Sequence, residues 1–133
     1  MLVVKVSPFV KEPELMDVDP DKIYDIVLPD GGYIERVFPF DDPVAVLCDE
    51  EGKLKGLPIN RCIRYKNGYK DFFVGTILIV GIGRNFEEIS LDKDLADKYV
   101  DMFRSANISV GSSPKEEGEY INDHVSMQKY SGS

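Results

Sequence analysis

The stretch Phe72-Phe73-Val74-Gly75-Thr76-Ile77-Leu78-Ile79-Val80 carries no polar alternation. A strand turns successive side chains to opposite faces, so a run apolar at both parities needs cover on both sides. It predicts the central strand of a sheet packed on both faces. The run extends to Ile82 but stays well short of the ~20 residues of a bilayer crossing, and Gly75 and Gly81 interrupt it. The opening Met1-Leu2-Val3-Val4-Lys5-Val6 lacks the basic region, long apolar core and cleavage site of a signal peptide. The expected compartment is the cytoplasm.

Other elements arrange themselves around this strand. Leu2 to Val6 is β-branched, ends at Ser7-Pro8 and reads as a partly buried strand. Glu14 to Val18 and Tyr33 to Phe38 supply two more. Between them Asp19-Pro20 marks a short helix, an Asp cap followed by Pro at the first helical position, and Pro29-Asp30-Gly31-Gly32 ends it. Val44 to Cys48 and Lys53 to Leu57 flank Asp49-Glu50-Glu51-Gly52 and predict a β-hairpin. Pro58 then starts a single helical turn through Asn60, Arg61 and Ile63, before a turn at Lys66-Asn67-Gly68-Tyr69. Leu95, Tyr99, Met102, Phe103 and Ala106 recur at helical spacing opposite Asp92, Asp94, Asp97, Lys98, Asp101 and Arg104, predicting the main helix over 91–105. The expected fold is α+β: one domain over 1–106 with a mostly antiparallel sheet of about five strands and one main packed helix. Residues 107–133 read as a linker and C-terminal tail of low hydrophobicity, whose Tyr120, Ile121, Val125, Met127 and Tyr130 offer docking side chains.

A chain of 133 residues with 43% hydrophobic residues buries enough surface to fold without disulfides or metal. Cys48 and Cys62 form no CxxC pair and read as small buried hydrophobes. The single histidine, His124, lies in the tail with no nucleophile motif beside it. Gly81-Ile82-Gly83-Arg84 lacks both the third glycine of a dinucleotide fingerprint and the Lys-Ser/Thr of a P-loop, so it reads as a strand exit. These residues call for no cofactor and no metal, and point to a non-enzymatic protein.

Charge narrows the partners. With 24 acids against 16 bases the net charge is −8, spread evenly over both halves, which disfavours nonspecific nucleic-acid or anionic-membrane binding. Against that background Lys53, Lys55, Arg61, Arg64, Lys66 and Lys70 fall in one stretch without an acid. On a helical turn Arg61 and Arg64 share a face and fork onto a phosphate or carboxylate. Asn60 and Tyr33 would hydrogen-bond or stack, and Asp41 or Asp42 would accept from a ligand's hydroxyls. The competing reading pairs these cations with acids elsewhere, chiefly on the helix after residue 91.

The segments Gly31-Gly32-Tyr33-Ile34-Glu35, Pro39-Phe40-Asp41-Asp42-Pro43, Asp49-Glu50-Glu51-Gly52-Lys53, Gly56-Leu57-Pro58-Ile59-Asn60-Arg61 and Gly75-Thr76 give the chain, from residue 1 to about 104, a further meaning. It resembles an uncharacterised domain-of-unknown-function family of bacteriophages, conjugative elements and bacteria of the Firmicutes group. The resemblance implies no established chemistry, but it does imply an origin in a phage or mobile element. By analogy with small proteins of such elements, the expected function is counter-defence by sequestering a small anionic, nucleotide-derived ligand, in the host cytoplasm and as a homodimer. The alternative is an acidic inhibitor of a host protein, using Asp92, Asp94, Asp97 and Asp101 to occupy a basic groove.

Overall fold

The apolar run does not form one strand. In the computed structural model, which describes residues 1–111, the chain breaks at Gly75, whose φ of +70° is open to glycine at little cost. In chain order the elements are β1 (Leu2–Val6), β2 (Glu14–Asp17), a 3-10 turn (Pro20–Lys22), α1 (Ile23–Val27), β3 (Ile34–Val37), β4 (Val44–Asp49) and β5 (Ile59–Arg64). They continue with β6 (Lys70–Val74), β7 (Ile77–Ile82), β8 (Glu88–Ile89), α2 (Lys93–Met102) and β9 (Asn107–Ser109). The fold is α+β with a mostly antiparallel sheet. Its main path runs β2-β1-β7-β4-β3, with β8 on the far end of β7, and a second, smaller sheet runs β6-β5-β9.

The central position expected for the apolar run belongs to β7, buried at every residue like its neighbour β4. Val4, Val6, Val44, Val46, Ile77 and Ile79 face one core with Tyr99 of α2, with Phe103 just after it and with Ile63, Phe73 and Ile108 of the small sheet. Val3, Ala45, Leu47, Leu78 and Val80 face the other, closed by Ile23 and Val27 of α1 and by Phe38. Each fully buried aliphatic side chain contributes roughly 1.5–3 kcal/mol, so this double cover is what holds the sheet. Asp92 caps α2 by accepting from the Leu95 N–H at 2.9 Å.

Three local expectations are corrected. Lys53 to Leu57 is not a hairpin partner for β4; Lys53, Leu54 and Lys55 are exposed, while the fully buried β4 takes its ladder from β3 and β7. Pro58 starts no helical turn. Asn60 to Ile63 are all buried, and β6 and β9 offer that backbone a ladder on both sides. Residues 107–109, expected to open the linker, form β9, parallel to β5, with Ile108 buried. His124 and the five apolar tail residues lie outside the described residues.

Gly81 to Arg84 is a strand exit, tightened into the β7–β8 hairpin by the Gly83 N–H to the Glu87 carbonyl at 2.9 Å. Among the described residues no helix is long and apolar enough to cross a membrane.

Candidate functional site

Because β5 is a strand, Arg61 and Arg64 lie on opposite faces and cannot fork onto one anion. Arg64 is exposed, with its Nε donating to Asn107 Oδ1 at 3.2 Å. Arg61 is 5% exposed. Its Nε donates to the Phe103 carbonyl at 2.7 Å, Nη1 to the Asn60 carbonyl and Oδ1 at 3.2 and 3.0 Å, and Nη2 to the Val10 and Lys11 carbonyls at 2.9 and 3.1 Å. Burial holds its pKa below the ordinary value. Its donors are committed to the protein. Asn60 is also structural: Nδ2 bridges the Val6 and Gly75 carbonyls, both at 2.8 Å, tying β1 to the break between β6 and β7.

The remaining expected residues stand elsewhere. Tyr33 is 71% exposed, on the segment entering β3. Asp42 lies beneath α2, accepting from Lys98 Nζ and the Tyr99 hydroxyl, both at 2.6 Å, with exposed Asp41 beside it. The fold therefore does not bring Tyr33, Asp41, Asp42, Asn60, Arg61 and Arg64 together around one ligand. The pairing expected for the cations holds for Lys53 with Asp71 and Lys55 with Asp49, but neither acid is on α2. Three of the four acids read as an outward face have local work: Asp92 caps α2, Asp97 pairs with Lys93, and Asp101 pairs with Arg104.

The structure instead forms a cleft of about 420 Å³. One wall is Ser7, Pro8 and Phe9 after β1, the second is Val27 to Gly31 after α1, and the third is Leu57-Pro58 with Gly75-Thr76. The lining is mainly apolar, and Asp49 and Lys55 supply its charged groups together with Asp30. Lys55 Nζ donates to Asp49 Oδ2 at 2.7 Å and to the Gly31 carbonyl at 3.3 Å. An ammonium has three donors, so this pair of bonds leaves one for a ligand. Asp49 Oδ1 accepts the Glu51 N–H at 2.9 Å. Burial opposes ionisation of Asp49, but the hydrogen bonds from Lys55 and Glu51 and the Lys55 charge outweigh it and hold the carboxyl below its ordinary range. The same bond raises the Lys55 pKa, so both groups are charged at neutral pH.

Gly75 sets the shape of the third wall. A Cβ there would meet Leu57 Cδ1 at 2.8 Å, and its N–H donates to the Pro58 carbonyl at 2.8 Å. A neighbouring depression beside Glu35, Lys53 and Asp71 contains Cys48, whose thiol is pushed up to about 12 by burial first and by Glu35 next. It is a poor nucleophile at neutral pH. Among the described residues no cluster of three or more His, Cys, Asp or Glu is placed to hold a metal.

Reading the residues by type missed Phe9, Asp49, Lys55, Leu57 and Gly75. The available signal was in the motif segments: Gly31, Asp49, Leu57-Pro58 and Gly75-Thr76 all come from the stretches that carry the family resemblance, and all line this cleft. No curated protein and no solved structure matches the chain. Residues 1–104 match the model of DUF3846, a domain of unknown function, and the chain belongs to that family.

Proposed function

We propose that this protein is a non-enzymatic binding module that holds one small amphipathic molecule in the cleft, the ligand's apolar body between Val27, Leu28, Leu57 and Pro58 and its anionic group on Lys55. The observation that carries this reading is the Lys55–Asp49 pair set into an otherwise apolar concavity of ligand size. Apolar walls supply affinity, and the third Lys55 donor supplies the polar selection, beside the two carboxylates, Asp30 and Asp49, that share the cleft. A nucleotide-derived molecule has this two-part character, with a flat base and a phosphate. In a protein of mobile-element origin, acting in the host cytoplasm, such a site would sequester a signal stoichiometrically rather than transform it.

Native mass spectrometry tests this directly, on protein purified from cells and again after incubation with nucleoside monophosphates, cyclic nucleotides and ADP-ribose. A discrete added mass that disappears in Lys55→Ala supports the reading, and the same spectra report whether the protein is the expected dimer. A ligand-free mass throughout would overturn it in favour of the acidic protein-binding inhibitor.

A further inference from the structure

Phe9 is the most exposed large hydrophobic residue described, at 91%, and it has a φ of +67°. Both features are unfavourable for a bulky L residue: the left-handed region crowds its Cβ, and an exposed ring gains nothing from burial. Such a conformation persists only where the surroundings impose it. Here they do. Pro8 and Phe9 are the inner pair of a turn closed by the Val10 N–H to the Ser7 carbonyl at 3.4 Å, and the Arg61 guanidinium holds the carbonyls of Val10 and Lys11 immediately after it, from a side chain itself anchored to Phe103 and Asn60. Together they hold the Phe9 backbone on the rim of the cleft, between it and a second depression beside Arg61 and Arg104.

We infer that Phe9 is a ligand-contacting residue that selects for a flat, unsaturated ring, so the cleft takes an aromatic or heteroaromatic anion in preference to a saturated one of similar size. The inference rests on the cleft reading above and narrows its ligand class. An aromatic ring on the rim of an apolar cleft offers its face to a second ring, and such pairs are favourable beyond the area they bury. Because the ring is exposed in the free protein and the backbone beneath it is already held, covering it with ligand buries apolar surface without ordering the loop.

The test uses two probes of matched size, naphthalene-2-sulfonate and decahydronaphthalene-2-sulfonate, titrated by calorimetry into the full chain and into Phe9→Ala, Phe9→Gly and Lys55→Ala. The expected result is tighter binding of the naphthalene probe, weakened about fivefold in both Phe9 variants, with the saturated probe changed much less by them. Phe9→Gly should also raise the thermal midpoint, since glycine relieves the positive φ, which separates lost recognition from damage to the fold. If neither probe responds to the Phe9 changes while both are lost in Lys55→Ala, the role of Phe9 is overturned and the cleft stands. If Lys55→Ala binds both probes as the parent does, the cleft reading falls and this inference falls with it.

Discussion

Lys55 turns back on Asp49, six residues earlier, to place its Nζ 2.7 Å from a carboxylate that is 5% exposed in its side chain. The bond closes the turn between β4 and β5 from the inside and fixes an ammonium at the polar end of the cleft. On the proposed reading the same two residues serve both structure and recognition, and their titration should register in stability.

The sign of that dependence follows from the shifts. The Asp49 carboxyl is held below its unfolded value, so its contribution is present above the ordinary carboxylate range and is lost as pH falls through the lowered folded value. Lys55 is raised, so its contribution is present below its ordinary pKa and is lost as pH climbs through the raised one. Urea midpoints measured from pH 2 to 7 should fall less steeply on the acid side in Asp49→Asn than in the parent. Equal slopes would show that the pair does not couple to folding.

Arg61→Ala should behave as a stability variant. Removing a buried guanidinium leaves the carbonyls of Phe103, Asn60, Val10 and Lys11 without these donors, at a cost of about 2–4 kcal/mol. Arg61→Lys should recover little of it, because an ammonium cannot span the same acceptors. A parent-like urea midpoint in Arg61→Ala would return this residue to the role expected from the sequence.

That reversal shows where the sequence was readable. The main helix, the central place of the second half of the apolar run and the α+β class are legible in local patterns, although the helix is shorter than expected and the run breaks at Gly75. Arg61 was misplaced because the local cue at Pro58 suggests a helical turn, whereas the strand is imposed by β6 and by β9, the latter more than 40 residues away. A face read with period 3.6 put Arg61 beside Arg64; with period 2 it points inward. The cleft was hidden for the same reason. Phe9, Leu28, Lys55 and Gly75 meet only through tertiary packing, and no single stretch announces them.

Gly75→Ala should destabilise by about 2 kcal/mol, since the new Cβ brings both a positive-φ penalty and a 2.8 Å approach to Leu57 Cδ1. Thermal unfolding of this variant checks it. A parent-like midpoint would mean that the break between β6 and β7 adapts freely.

Tyr99→Phe removes a hydroxyl 2.6 Å from Asp42 Oδ2 while keeping a ring that is fully buried against Phe40. The expected loss is about 1 kcal/mol in denaturant unfolding, with ligand binding unaffected. A change in binding of naphthalene-2-sulfonate would place Asp42 in the site after all.

Lys70 stands directly opposite Arg64 in the β5–β6 register, a like-charge pair on an exposed face. Lys70→Glu should therefore raise stability by about 0.5 kcal/mol and leave cleft binding unchanged. Loss of binding in this variant would point to the exposed cationic end of the small sheet as the ligand site.

Amide chemical-shift mapping reads the location of a ligand site without knowledge of the natural ligand. Uniformly ¹⁵N-labelled protein titrated with naphthalene-2-sulfonate should show its largest shifts at Phe9, Gly31, Lys55, Leu57, Gly75 and Thr76, with Arg64, Lys66 and Lys70 unmoved. Shifts centred on those three cations, or on the acids of α2, would contradict the account.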